Sequence, residues 1–169
     1  MHMSKFRHLC FCVFAVLAFD AQGAENDSAY LIFKAYVSDN VVQPSYLCLF
    51  RKNRCTHIKA NDSFSKIKPG IYTLKHIDFS EDESSSRGTK GFEEIINFKL
   101  KKNKIYFIGQ IKLSGKSVGR YKMAIEQNMH LLIDACDSFP EEVKKYPFAN
   151  ALNGKELPLS CENVPKKKA

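Results

Sequence analysis

The 169-residue sequence predicts a mainly β protein, an antiparallel β-sandwich of five to seven strands with a short helical C-terminal segment. Three observations carry this expectation. Runs that alternate β-branched and aromatic residues with polar ones recur between turn signals, the period-2 pattern of half-buried strands. After residue 127 that alternation gives way to helical spacing. Phenylalanine is abundant at 13 residues and is concentrated in the strand-like runs, where a sheet-built core needs large side chains.

The N-terminal residues set the compartment. Lys5, Arg7 and His8 precede an apolar run over 9–19, which is too short to span a bilayer and is followed by Asp20. Ala21-Gln22-Gly23 places small residues where a signal peptidase reads, so 1–23 is expected to be a signal peptide cleaved before Ala24. Cys10 and Cys12 lie ahead of most of the apolar run and lack a lipoprotein pattern. A periplasmic or secreted chain with no transmembrane segment after cleavage is therefore expected. Cleavage removes two of 26 basic and one of 18 acidic residues, leaving a net charge of +7 on 146 residues. That balance favours acidic partners.

The first strand is expected over Ala29–Val37, with Leu31, Phe33, Ala35 and Val37 on one face and Tyr30, Ile32, Lys34 and Tyr36 on the other. A connection with Asp39-Asn40 and Pro44 leads to a strand over Tyr46–Arg51. Lys52-Asn53 then turns the chain into Arg54–Lys59. A short extended piece, 64–67, reaches Pro69-Gly70, which launches a strand over 71–79. The run 80–91 is almost all charged or small and cannot join a core. Lys102-Asn103 is expected to close a strand pair, 95–101 with 104–113. In its second strand Ile105, Phe107, Ile111 and Leu113 share a face, and Tyr106, Ile108, Gln110 and Lys112 the other. Tyr121, Met123 and Ile125 alternate in a last strand. The sandwich is thus placed over 24–126.

Residues 127–169 form a helical and irregular segment packed on the same domain. Asn128 can cap a helix over 129–137 with Leu132, Ala135 and Cys136 inward. Pro140 opens a second helical turn, with Glu141 and Glu142 first and Lys144 and Lys145 last, an order that suits the helix dipole.

Four cysteines follow the signal segment: Cys48, Cys55, Cys136 and Cys161. An even count in an exported chain favours two bridges, and three pairings are open. Spacing suggests Cys48–Cys55 across a hairpin and Cys136–Cys161 tying down the C-terminal segment. Cys-x-x-Cys spacing is absent, so neither a metal nor another cofactor is expected.

No catalytic constellation stands out. His57, His76 and His130 would support acid–base cleavage of RNA only if they converged on one cleft. Gly-x-Ser-x-Gly, calcium-loop and phosphate-loop patterns are missing. Lys99, Lys101, Lys102 and Lys104 form a candidate basic face, while the lysines at 166–168 read as a solvated tail. Tyr36, Tyr46, Tyr72 and Tyr106 could line a stacking face, although half-buried strand positions are their commoner use.

Ile67-Lys68-Pro69-Gly70-Ile71-Tyr72-Thr73-Leu74, followed by Phe98-Lys99-Leu100 and Asn103-Lys104-Ile105-Tyr106-Phe107-Ile108-Gly109, resembles a family pattern. It is similar to the transthyretin-like or carboxypeptidase-regulatory-like β-sandwich domains of bacterial envelope proteins. The resemblance covers 29–113 and implies a non-catalytic sandwich. The chain departs from the lipoprotein members in lacking a lipidated cysteine and in adding a cysteine-bearing C-terminal segment. The expected function is an exported, non-enzymatic binding or assembly module of the cell envelope, with an envelope protein as partner. The alternatives are a small secreted basic hydrolase such as a nuclease, and a binder of anionic polymer or lipid headgroups.

Overall fold

The strand Ala29–Val37 (β1) runs through the middle of the structure and is buried along both faces, as its two apolar stripes require. Leu31, Phe33, Ala35 and Val37 face one core, and Tyr30 and Ile32 face another. The computed structural model describes residues 27–38, 43–79, 90–117 and 120–164. The expected signal segment, most of the polar run at 80–91 and the terminal lysines lie outside the described residues.

Eight further strands follow: Tyr46–Arg51 (β2), Arg54–Lys59 (β3), Ser65–Ile67 (β4), Gly70–Asp78 (β5), Lys90–Leu100 (β6), Ile105–Ser117 (β7), Arg120–Glu126 (β8) and Phe148–Asn150 (β9). Two helices, His130–Ser138 (α1) and Glu141–Lys144 (α2), lie between β8 and β9. One sheet holds all nine strands, in the order β3-β2-β5-β6-β8-β7-β1-β4, with β9 against β7. The expectation of a mainly β chain is met, but the antiparallel sandwich is not. β1 with β7, β6 with β8 and β7 with β9 are parallel pairs, and the mixed sheet curls into a nearly closed barrel. One face of this single sheet wraps the main core, so no second sheet is needed to cover it.

The expected pairing of 95–101 with 104–113 is also corrected. The turn at Lys102-Asn103 exists, but β8 inserts between the strands that it joins, parallel to β6 and antiparallel to β7. The turn is held by β1 instead: Asn103 N–H donates to the Ser28 carbonyl, and Tyr30 N–H to that of Lys104.

Lys52 and Asn53 both have positive φ, 48° and 61°, in a two-residue hairpin turn whose twist suits the flanking strands. In β7 a bulge opposite Ile32 and Phe33 reverses the alternation. Ile105 and Phe107 face outward to the helices. Tyr106 and Ile108, and beyond the bulge Ile111 and Leu113, face the barrel interior. The face expected to hold Ile105, Phe107, Ile111 and Leu113 together is therefore split. A strand apolar on both sides hides such a shift of register.

The second core lies outside the barrel wall. Tyr30, Ile32, Ile105 and Phe107 meet Leu131, Leu132, Ala135 and Cys136 of α1, Val143 of α2 and Phe148 of β9. The Phe64 and Phe139 rings lie 4.4 Å apart, and Tyr30 meets the edge of Phe139 at 5.7 Å. The expected cap shifts by one residue: Met129 precedes α1 at the cap position with no side-chain cap, while Asn128 Oδ1, one residue earlier, accepts from the His130 N–H at 3.1 Å. Cys48 is bonded to Cys55 and Cys136 to Cys161, the pairing that spacing suggested.

Candidate functional site

Barrel closure is incomplete at one end, and the gaps there are lined with cations. Ala60 draws the two edges of the sheet together at its own level. Its carbonyl accepts from the Ala35 N–H of β1, and its N–H donates to the Ser45 carbonyl just before β2. From that point β3 and β4 diverge. Among the described residues β3 pairs only with β2 and β4 only with β1, so each presents an unpaired edge to the other. The cleft between them has a volume of about 680 Å³ and is lined by Arg51, Lys52, Arg54, Thr56, Lys66, Ile67, Lys68 and Tyr72. Five of those eight residues are basic and none is acidic.

Strand parity aims the cations. Leu47 and Leu49 face the interior, so Arg51 shares their face where β2 leaves the core. Arg54 and Thr56 likewise share the face of Ile58. The Arg51 guanidinium lies 5.8 Å from the centre of the Tyr72 ring, a cation–π arrangement. A Cβ at Gly70 would fall 2.6 Å from Arg51 Nε, so glycine leaves room for the arginine to lie across the start of β5. The Tyr72 hydroxyl donates to the Lys68 carbonyl at 2.7 Å and fixes the cleft floor. Arg51, Lys52, Arg54 and Lys68 make no ion pair among the described residues.

A second gap opens at the same end. β6 meets β8 only through Gly91↔Arg120 and Phe92↔Tyr121, so its later half lacks a strand neighbour on that side among the described residues. The segment after β9 fills part of the space. A groove of about 530 Å³ remains, lined in part by Lys99, Lys101 and Lys104 with Ile71, Tyr106 and Leu152. Lys104 is ion-paired with Glu156, and this hydrogen-bonded contact holds the Glu156 carboxyl below the ordinary carboxylate range. Lys102 does not line the groove and pairs with Asp27 at 3.2 Å. Three of the four lysines of the candidate face thus surround one groove. The fourth is turned to β1's approach.

Sequence reasoning missed Arg51, Lys52, Arg54, Lys66 and Lys68. Local signals were present in the runs Arg51-Lys52-Asn53-Arg54 and Lys66-Ile67-Lys68, but only the barrel brings the two runs across one cleft. The four tyrosines do not form one face. Tyr72 and Tyr106 belong to the barrel core, and Tyr46 stands against His57. His57 lies beside Cys55, whereas His76 packs on Phe50 and lines a groove of about 400 Å³ with Lys75, Glu93 and Arg120. His130 is exposed at the start of α1. No described helix is long and apolar enough to cross a membrane. Comparison of the chain with family models, with curated proteins and with solved structures yields no match.

Proposed function

We propose that this protein is an exported binding module that takes an acidic, extended polypeptide segment of an envelope partner into the cleft between β3 and β4. The observation that carries the reading is a cleft with five cations, no acidic residue and a sheet edge on either side. Unpaired edges offer backbone hydrogen bonds to an added strand, and the cations select an acidic one. Arg51 and Arg54 supply planar forks suited to carboxylates.

Binding of a fluorescein-labelled oligoglutamate peptide, read by anisotropy, tests this directly. Arg51→Ala with Arg54→Ala should weaken binding by roughly tenfold or more. Lys145→Ala, an exposed cation just after α2 and away from the cleft, should leave it nearly unchanged. Equal affinity in all three proteins would refute the reading.

One observation favours a second reading, docking on an anionic lipid surface. Ile71 is 65% exposed and Leu152 41% exposed beside Lys99, Lys101 and Lys104, which places apolar side chains among cations. It predicts co-sedimentation with vesicles containing anionic lipid, lost on Ile71→Asp. Sedimentation that ignores this change would exclude it.

A further inference from the structure

The outer face of the β2–β3 hairpin carries a different chemistry. Cys48 stands opposite His57 across the hairpin, and Cys55 precedes His57 by two residues on the same strand. Strand pairing therefore brings two sulfurs and an imidazole to one corner, although no Cys-x-x-Cys spacing announces them. Their ligand atoms all lie within 4.8 Å of one another, and Cys55 Sγ is 3.4 Å from His57 Nε2. With metal–sulfur near 2.3 Å and metal–nitrogen near 2.0 Å, the sulfur–nitrogen edge of a tetrahedral zinc site is about 3.5 Å. The folded hairpin already holds that edge.

We propose that reduction of the Cys48–Cys55 bond converts this corner into a Cys2His site for a thiophilic cation of the zinc class. Disulfide and metal are then alternative states of the same two sulfurs. The exchange balances with a dithiol as reductant. The dithiol gives two electrons and two protons to the Cys48–Cys55 bond and becomes a disulfide, while Cys48 and Cys55 become thiols. Cation binding releases both thiol protons and takes the neutral His57 ring as third ligand. Cys55 and His57 are half-buried, which leaves a fourth position to water.

The hairpin can keep its form when the bond opens. β2 has six residue pairs with β3 and five with β5, and a short disulfide loop constrains the unfolded chain less than a long one. His76, opposite Cys48 on the other side, is directed to Phe50 at 5.3 Å and lies outside the three-ligand group.

The intact chain, reduced with a phosphine and titrated with Co²⁺ as a spectroscopic stand-in for zinc, tests the proposal. The reduced chain should develop a thiolate-to-cobalt charge-transfer band that Zn²⁺ abolishes, and the oxidised chain should not. His57→Ala keeps every cysteine and should weaken Co²⁺ binding by roughly tenfold or more. A reduced chain without the band would overturn the proposal. So would a band that His57→Ala leaves intact, because the thiolates would then be acting without the imidazole, at this corner or at Cys136 and Cys161. Loss of the far-ultraviolet β signal on reduction would overturn it as well.

Discussion

At Gly109 the backbone takes φ +111°, and an added Cβ would lie 2.5 Å from the Glu126 carbonyl oxygen. Both the conformation and the contact with a neighbouring backbone exclude a side chain. Gly109→Ala should destabilise the fold by more than about 2 kcal/mol, measured by denaturant unfolding. A smaller loss would mean that the bulge relaxes at little cost. His76 supplies a second test. Burial, and then the nearby Lys75 charge, hold its pKa below the ordinary imidazole value. The unfolded chain therefore takes up a proton first as pH falls. Stability should decline from neutral pH through the unfolded imidazole range, about 6.5, and level off below the folded value. His76→Gln should flatten that part of the curve in chemical unfolding followed across pH. At this scale the sequence reveals which residues are special but not their direction. Gly109 stands among apolar neighbours, but the parity change that it permits is invisible where both faces are apolar.

Individual elements were far more legible than their neighbours in space. Alternation and turn residues locate β1 to β5, and Asn128 and Pro140 mark the helix starts, because these signals are local. β9 is only Phe148–Asn150, too short to have a period, and it is stabilised by pairing with Ile105–Phe107. The insertion of β8 between β6 and β7 depends on the Lys102-Asn103 turn being tied to β1 rather than closing a hairpin. Nothing in the turn residues alone encodes that. The C-terminal elements carry a separate prediction. Cys136 of α1 is bonded to Cys161 and belongs to the outer core. Cys136→Ser with Cys161→Ser should cost about 3 kcal/mol in denaturant unfolding. Amide exchange should rise mainly in α1, α2 and 157–164, and not in the barrel strands. Equal loss throughout would show that the outer layer and barrel unfold together.

Over the whole molecule, charge is distributed by strand direction. The ends of β2, β4 and β6 and the starts of β1, β3, β5 and β7 converge on one rim, as the pairs Ala29↔Ile67, Tyr30↔Ile105, Arg51↔Arg54 and Gly70↔Leu100 require. Turns at that rim contain Arg51-Lys52-Asn53-Arg54 and Lys101-Lys102-Asn103-Lys104, so two basic runs distant in sequence share one end. The net charge alone pointed to acidic partners, and the lysines at 99–104 were visible as a cluster. Their alliance with Arg51 and Arg54 was not, because it depends on barrel closure. Raising salt from about 50 to about 300 mM should weaken oligoglutamate binding steeply, since the Debye length shortens and Lys52, Arg54 and Lys68 of the cleft are exposed. Salt-insensitive binding would deny the rim its role. The most direct measurement is amide hydrogen exchange on the intact chain, with and without the oligoglutamate peptide at low salt. Strand addition predicts new protection confined to Arg54–Lys59 and Ser65–Ile67. Protection located elsewhere, or absent despite saturation, would contradict the assignment of the β3–β4 cleft as the binding site.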